Sequence, residues 1–333
     1  MTQTPVVALY RKDPLQVGDV ATTPVRYAEE LGLPWLAHAH HLDVEDRRLK
    51  EHDPGLERTL RDSIVIIGGG GLTFDYFRNN IAWVTRLKPR ALIWWGAGHN
   101  IHLGEGTFLS HGRWEDLTDE ELAYPSFLST DAFDLIGVRD PEYTQFEKPP
   151  LRYVPCASVM LGSLKIGRGT DPEHEAVVYV QKSRIPTRSL AFPSLSNATA
   201  VEHNVTKVAG IDPRSIPAAG HADRAVRFLA TGATVVTNSY HGALWALLLD
   251  RSVVVLDGWS SKFHKLPAEV LTVPTSEFER DPDSAIARAR AVHIKHADTS
   301  NLLESAREAN LSFATDVAAL LTARNLTPAA TPC

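Results

Sequence analysis

Two kinds of hydrophobic pattern alternate along the chain. Short, nearly continuous apolar runs rich in β-branched residues occur at Val6–Tyr10, Ser63–Ile67, Ala91–Trp95 and Asp134–Val138. They return at Ala176–Gln181, Ala233–Thr237 and Ser252–Leu256. Runs that are apolar at almost every position read as strands buried on both faces, the habit of parallel sheets. Between them the apolar residues recur every three or four positions, which predicts helices over Ala21–Leu31, Tyr76–Leu87, Ala222–Ala230, Gly242–Leu249, Ser284–His293 and Leu302–Leu321. Such alternation defines an α/β chain of βαβ units. It is interrupted over Phe146–Thr170, where Pro149, Pro150, Pro155 and several glycines break both periods. The pattern therefore predicts two Rossmann-like domains facing a cleft, over residues 1–160 and 161–324, with a disordered tail at Asn325–Cys333. Ligands in such sheets bind beyond the carboxyl ends of the strands.

Chemistry-bearing residues gather where the predicted strands end. Gly68–Gly71 follows Ser63–Ile67, and Gly69, Gly70 and Gly71 there either cradle an anion with their amides or make a tight turn. The segment has neither the glycine spacing of a dinucleotide fingerprint nor the lysine of a P-loop. Gly18 and Asp19 fall after the first strand, with Asp19 a helix cap or a base toward an acceptor hydroxyl. His99 and Asn100 close the Ala91–Trp95 segment and are candidates to face the cleft. Arg139 and Asp140 close the next strand, as a ligand group or an ion pair. Thr237–Leu249 (TNSYHGALWALLL) runs from a buried strand into an apolar helix and is the most informative stretch. It sets His241 and Gly242 at a helix N-terminus, where the amide dipoles favour an anion and lower the imidazole pKa. The alternative is a structural histidine behind an Asn238 or Ser239 cap. Lys182, Arg184 and Arg188 end one strand, and Lys262, His264 and Lys265 follow another, so both basic groups are expected on the same sheet edge.

Composition changes this picture only by exclusion. The 40 acidic against 34 basic residues leave a net charge of −6, which argues against nucleic acid as a partner but not against a small basic pocket. Two cysteines, Cys156 and Cys333, are too few for a disulfide framework or a cysteine-rich zinc site. The histidines His38, His40 and His41 lack spaced carboxylate partners, so no metal is expected. No secretory signal is visible, and the longest apolar stretch, Gly242–Leu249, is far short of the ~20 residues that span a bilayer. These features make a cytoplasmic protein without a transmembrane segment the expectation. The apolar residues around Phe108–Tyr124 leave an acceptor loop or peripheral membrane contact open.

Taken in order, Gly18-Asp19, Gly68–Gly71, Gly96–His99, Ile136–Asp140 (IGVRD), TNSYHGALWALLL and the later SSKF resemble the polysaccharide pyruvyl transferase family, over most of the chain. The resemblance implies a fold like that of the GT-B glycosyltransferases, with phosphoenolpyruvate as donor substrate and no further cofactor. It implies a saccharide diol as acceptor on the N-terminal side, and a pyruvate ketal as product. On this reading His241 and Asp19 are catalytic, and Lys182, Arg184, Ser239, Gly242 and Lys262 bind the donor. Gly18, Gly69, Gly70, Gly71, His99, Asn100 and Arg139 line the acceptor side. One departure stands out: the family's Arg-Leu-His-Gly reads Ser239-Tyr240-His241-Gly242 here. Either Lys182, Arg184 or Lys262 replaces the missing arginine, or the donor differs. A nucleotide-sugar glycosyltransferase, with Asp19 or His99 as base, and a noncatalytic saccharide-binding protein are the alternatives.

Overall fold

The computed structural model describes residues 3–12, 17–73, 75–101, 132–140, 151–180, 201–203, 218–295 and 301–329. A first sheet is built from β1 (Val6–Tyr10), β2 (His40–Asp43), β3 (Ile64–Gly68), β4 (Ala91–Ala97), β5 (Leu135–Val138) and β6 (Leu151–Tyr153). All its pairings are parallel, in the order β2-β1-β3-β4-β5-β6. A second parallel sheet holds β7 (His174–Val180), β8 (Val201–His203), β9 (Gly232–Thr237), β10 (Ser252–Leu256) and β11 (Leu271–Val273), in the order β11-β10-β9-β7-β8. Counted from β7, the second sheet repeats the strand order of the first. Each sheet thus changes its direction of growth between its first and third strands, where doubly wound sheets open a crevice.

Helices α1 (Val17–Ala21), α2 (Arg47–Lys50), α3 (Pro54–Arg61) and α4 (Asp75–Leu87) belong to the first half. The second half carries α5 (Gly162–Arg168), α6 (Ala218–Ala230), α7 (Tyr240–Leu248), α8 (Thr275–Arg280) and α9 (Pro282–Lys295), followed by α10 (Leu302–Ala323). Side chains alternate across each strand and so divide the interior. Val7, Leu9, Val65, Ile67, Leu92 and Trp94 pack with Leu56, Leu60, Ile81 and Val84 of α3 and α4. Their neighbours Val6, Ala8, Ile64, Ile66, Ile93 and Trp95 face the other way, into a core that also holds Val177, Val235, Val253 and most of α7. The two sheets therefore share one apolar core, and Val178, Val236 and Val254 close the far side against Ala285 and Ile286 of α9.

Three expectations need correction. The helix predicted over Ala21–Leu31 is not formed: α1 ends at Ala21, and Pro24 opens a short 3₁₀ turn over Pro24–Tyr27. Proline holds the residue before it out of the helical region, and Thr23 is extended at ψ 134°. The helix α10, assigned to the second half, returns to the first. Asn310, fully buried, accepts from Trp95 Nε1 at 3.0 Å and donates to Pro155 O at 3.1 Å, while Arg324 pairs with Asp134. The tail is ordered as far as Ala329, because Thr4 N–H donates to Thr327 O and Ala329 N–H to Thr4 O, and Leu326 is buried. No helix among the described residues is long and apolar enough to cross a membrane.

Asn310 is the polar pin that fastens α10 to the first half. Replacing it by alanine leaves the Trp95 indole N–H and the Pro155 carbonyl buried without partners, each worth about 1–3 kcal/mol. Urea unfolding of Asn310→Ala is expected to show a stability loss of about 2–4 kcal/mol; a loss below about 0.5 kcal/mol is what a solvated surface residue gives and contradicts the assignment.

Candidate functional site

The helix α7 starts as the chain leaves β9. Thr237 Oγ1 accepts from Ser239 N–H at 3.0 Å, and Ser239 Oγ accepts from Gly242 N–H at 3.3 Å, so Ser239 is the N-cap. Gly242 has no room for a side chain: a Cβ there lies 2.6 Å from Thr237 Oγ1 and 2.8 Å from Tyr179 Cδ1. All nine residues of α7 are buried, which matches a helix apolar on every side. This start fixes His241, the second residue of the helix, facing the first half of the molecule.

His241 is 8% exposed and lies between two elements of that half. Its Nδ1 occupies the space a side chain at Gly18 in α1 needs, 2.0 Å from the ideal Cβ. Its Nε2 lies 3.8 Å from the Cys156 sulfur. Burial holds the imidazole pKa well below 6.5, and the Arg139 and Lys262 charges lower it further. The ring is therefore neutral at physiological pH. The helix dipole was the cause expected from sequence; loss of solvation is the leading one.

Two cations approach the same place. The Arg139 guanidinium, buried at the end of β5, lies 4.5 Å from the centre of the Tyr240 ring. Lys262 Nζ lies 5.8 Å from that ring and 4.4 Å from the Trp259 ring. Burial raises the Tyr240 phenol far above its ordinary value, so it keeps its proton. A small crevice is lined by Arg139, Tyr153, Cys156, Tyr240 and Leu244 together with Leu302 and Ala306 of α10, and His241 is not part of its lining. A larger cavity of about 480 Å³ lies beside His38, His40 and Arg48, near the amino ends of β1 and β2. That is the sheet edge opposite the carboxyl ends, so it is not the doubly wound ligand crevice.

The remaining candidates separate into joints and outliers. Asp140 Oδ2 accepts from His99 N–H at 2.6 Å, and Arg139 Nη2 donates to His99 O at 2.8 Å, so this pair shapes the β4 exit loop. His99 Nδ1 lies 2.8 Å from Ser261 Oγ, and Ser260 Oγ donates to Asn100 Oδ1 at 2.7 Å. His99 and Asn100 thus join the two halves. In the glycine turn, Gly69 (φ +83°) and Gly70 (φ +75°) adopt the left-handed region. Gly69 N–H donates to Trp95 O at 3.0 Å, and a Cβ at Gly71 lies 2.5 Å from Asn100 Cβ. This turn allows close packing, with the Gly69 amide committed to the backbone. Asp19 sits inside α1, its carbonyl accepting from Thr22 Oγ1, so it is not a helix cap. Lys182, Arg184 and Arg188 lie outside the described residues, as does Phe108–Tyr124. His41 Nδ1 lies 2.9 Å from Tyr10 Oη. Sequence reasoning missed Cys156 and Ser158, which fall in the proline-rich break and follow no period.

No protein-family model and no curated protein matches the chain. Among solved structures it is similar to a putative UDP-N-acetylglucosamine 2-epimerase from Listeria monocytogenes, at 12% identity and a TM-score of 0.55, over 93% of this chain and 94% of that one. It also aligns with a UDP-GlcNAc 2-epimerase from Neisseria meningitidis, at 12% identity and a TM-score of 0.45, over 96% and 100% of the two chains. An uncharacterised protein from Klebsiella pneumoniae aligns at 15% identity and a TM-score of 0.38, over 76% and 83%. The Listeria likeness shows the fold: two Rossmann-like domains facing a cleft, GT-B-like in arrangement.

Two outcomes follow from the burial of His241. Its folded pKa lies below the unfolded value, so protonation favours the unfolded chain; the stability this contributes is complete above pH 6.5 and falls as the pH drops through that value. Unfolding free energies from pH 8 to pH 5 are expected to fall more steeply in the wild type than in His241→Gln; equal slopes contradict a buried neutral ring. Gly18→Ala drives a methyl group into the imidazole, with an overpacking loss of about 1–3 kcal/mol. An unchanged melting temperature in that variant contradicts the Gly18–His241 contact.

Proposed function

We propose that this protein moves the enolpyruvyl group of phosphoenolpyruvate onto a saccharide diol, forming a pyruvate ketal. The observation that carries the reading is a neutral, buried His241 at the start of α7, held against α1 of the first sheet, with Arg139 and Lys262 acting on it. Phosphoenolpyruvate carries a phosphate and a carboxylate, and two nearby cations match two anionic groups. Ketal formation needs protonation of the methylene carbon, attack of one sugar hydroxyl on C2, departure of phosphate and closure by the second hydroxyl. His241 serves as proton shuttle or as donor to a phosphate oxygen, and Lys182, Arg184 and Lys262 complete the neutralisation that the serine at position 239 does not supply. Asp19, one residue beyond Gly18 in α1, is the base for the acceptor hydroxyl. Peripheral membrane contact belongs to this reading when the acceptor is lipid-linked.

The fold favours a second reading. A chain so similar in architecture to a putative sugar-nucleotide epimerase also suits chemistry on a nucleotide sugar, with the same cations on a diphosphate. Mass spectrometry of candidate saccharides after incubation with phosphoenolpyruvate separates the two. The expected result is a product carrying one pyruvate ketal, with release of inorganic phosphate, and at least a hundredfold loss of rate in His241→Gln. Release of nucleotide from a nucleotide sugar, with no reaction of phosphoenolpyruvate, selects the second reading.

A further inference from the structure

A chain of hydrogen-bonding groups beside His241 gives a role to a thiol that the proposed chemistry leaves idle. Ser158 is fully buried, and its Oγ has two polar neighbours, Trp245 Nε1 at 3.0 Å and Cys156 Sγ at 3.2 Å. Cys156 Sγ in turn lies 3.8 Å from His241 Nε2, within reach of a sulfur hydrogen bond. An indole N–H only donates, so Ser158 Oγ accepts from Trp245. Among the described residues the serine hydroxyl proton then has one acceptor in reach, the Cys156 sulfur. With the sulfur accepting, the thiol proton goes to His241 Nε2. Three donors meet three acceptors in one direction, from Trp245 through Ser158 and Cys156 to His241. Run the other way, with Nε2–H donating to sulfur and S–H to Ser158, the chain strands the serine proton in a fully buried site, whereas the first direction leaves its one unmatched proton on Nδ1 of His241, which is 8% exposed.

We propose that Cys156 is a positioning residue, which ties up the lone pair of His241 Nε2 through this chain and fixes the imidazole proton on Nδ1. Nδ1 faces Gly18 and has no hydrogen-bond partner within the described residues. His241 therefore meets a ligand as an N–H donor to an anionic oxygen, a phosphate or carboxylate, and not as a base. That last step rests on the reading of His241 as a donor-binding residue; the tautomer itself does not. The protonation states agree with the geometry. Burial pushes the Cys156 thiol up, so it keeps its proton, and it holds the imidazole neutral, so Nε2 keeps its lone pair. The charges that act here come from several elements: Arg139 and Lys262 on the ring, Arg139 and Asp19 on the thiol. Tyr27 and Tyr240, both buried and raised by that burial, stay protonated beside them.

Two-bond proton–nitrogen spectra of ligand-free protein with isotopically labelled histidine read the tautomer directly, with His241 assigned by its loss in His241→Gln. At neutral pH Nδ1 is expected to carry the proton and Nε2 to be bare. Cys156→Ser, which keeps a hydroxyl donor, is expected to retain that pattern, and Cys156→Ala to shift most of the population to Nε2–H. Should Cys156→Ala fail to unfold cooperatively, Trp245→Phe removes the head of the chain instead and is expected to give a mixture of tautomers. A protonated Nε2 in the wild type, or an unchanged pattern in folded Cys156→Ala, overturns the proposal. Phosphoenolpyruvate is then expected to move the Nδ1–H resonance. The expected tautomer with no response to phosphoenolpyruvate upholds the positioning role and overturns the pyruvyl-transfer reading instead.

Discussion

The close approach of His241 to Gly18 is the contact on which the site depends. One residue belongs to the helix after the third strand of the second sheet, the other to the helix after the first strand of the first sheet. Both helices leave the carboxyl edge of their sheets beside a change in strand direction, where each sheet alone opens a crevice. A ring nitrogen stands where a Cβ at position 18 belongs, so the two edges meet this closely only because residue 18 is glycine. Glycine at 242 does the same work one step behind, letting α7 start against Thr237 and Tyr179. These two positions without side chains set how deep the histidine sits, and that depth keeps the ring neutral.

Around this contact the polar residues tie the two halves together. His99, Asn100, Ser260 and Ser261 bond across the seam, and Asp140 holds the loop that carries His99. Arg139 lies 3.7 Å from Asp140 and holds the His99 carbonyl, while its guanidinium lies over Tyr240 of the second half. The net charge of −6 over the chain does not describe this seam, where Arg139 and Lys262 come from separate elements, the end of β5 and the turn after β10, and Asp140 lies beside Arg139. Whole-chain charge describes long-range behaviour toward polyanions, not the charges at one seam.

Much of the fold was legible in sequence because burial on both faces of a parallel strand leaves an unbroken apolar run. Val6–Tyr10 and Ser252–Leu256 appear as strands with the predicted bounds, and the alternation locates both sheets. Placement of His241 at a sheet edge was legible for the same reason: the run from β9 into an apolar helix leaves only Asn238 and Ser239 between them. Periodicity records which face is buried, however, and not what it is buried against. It could not show that α10 returns to the first sheet, nor that the Asn325–Ala329 segment is pinned by Thr4. The short strands β2, β6 and β11 hold three or four residues each, too few to make a period. Cys156 and Ser158 lie where prolines suppress both periods, and their role comes from partners 85 and 87 positions away, respectively. Ser239 and Asn100 look like ligand residues in sequence, yet one caps a helix and the other joins two loops, since a polar residue at a sheet edge serves either end equally well.

On the pyruvyl-transfer reading, the seam between the two sheets binds a small doubly anionic molecule through a neutral histidine and the cations beside it. Calorimetric titration with phosphoenolpyruvate tests this most directly. The account predicts saturable binding of one molecule per chain, weakened about tenfold or more, some 1.4 kcal/mol, in both His241→Gln and Lys262→Gln. Absence of binding to the folded wild type, or binding that neither substitution weakens, contradicts it.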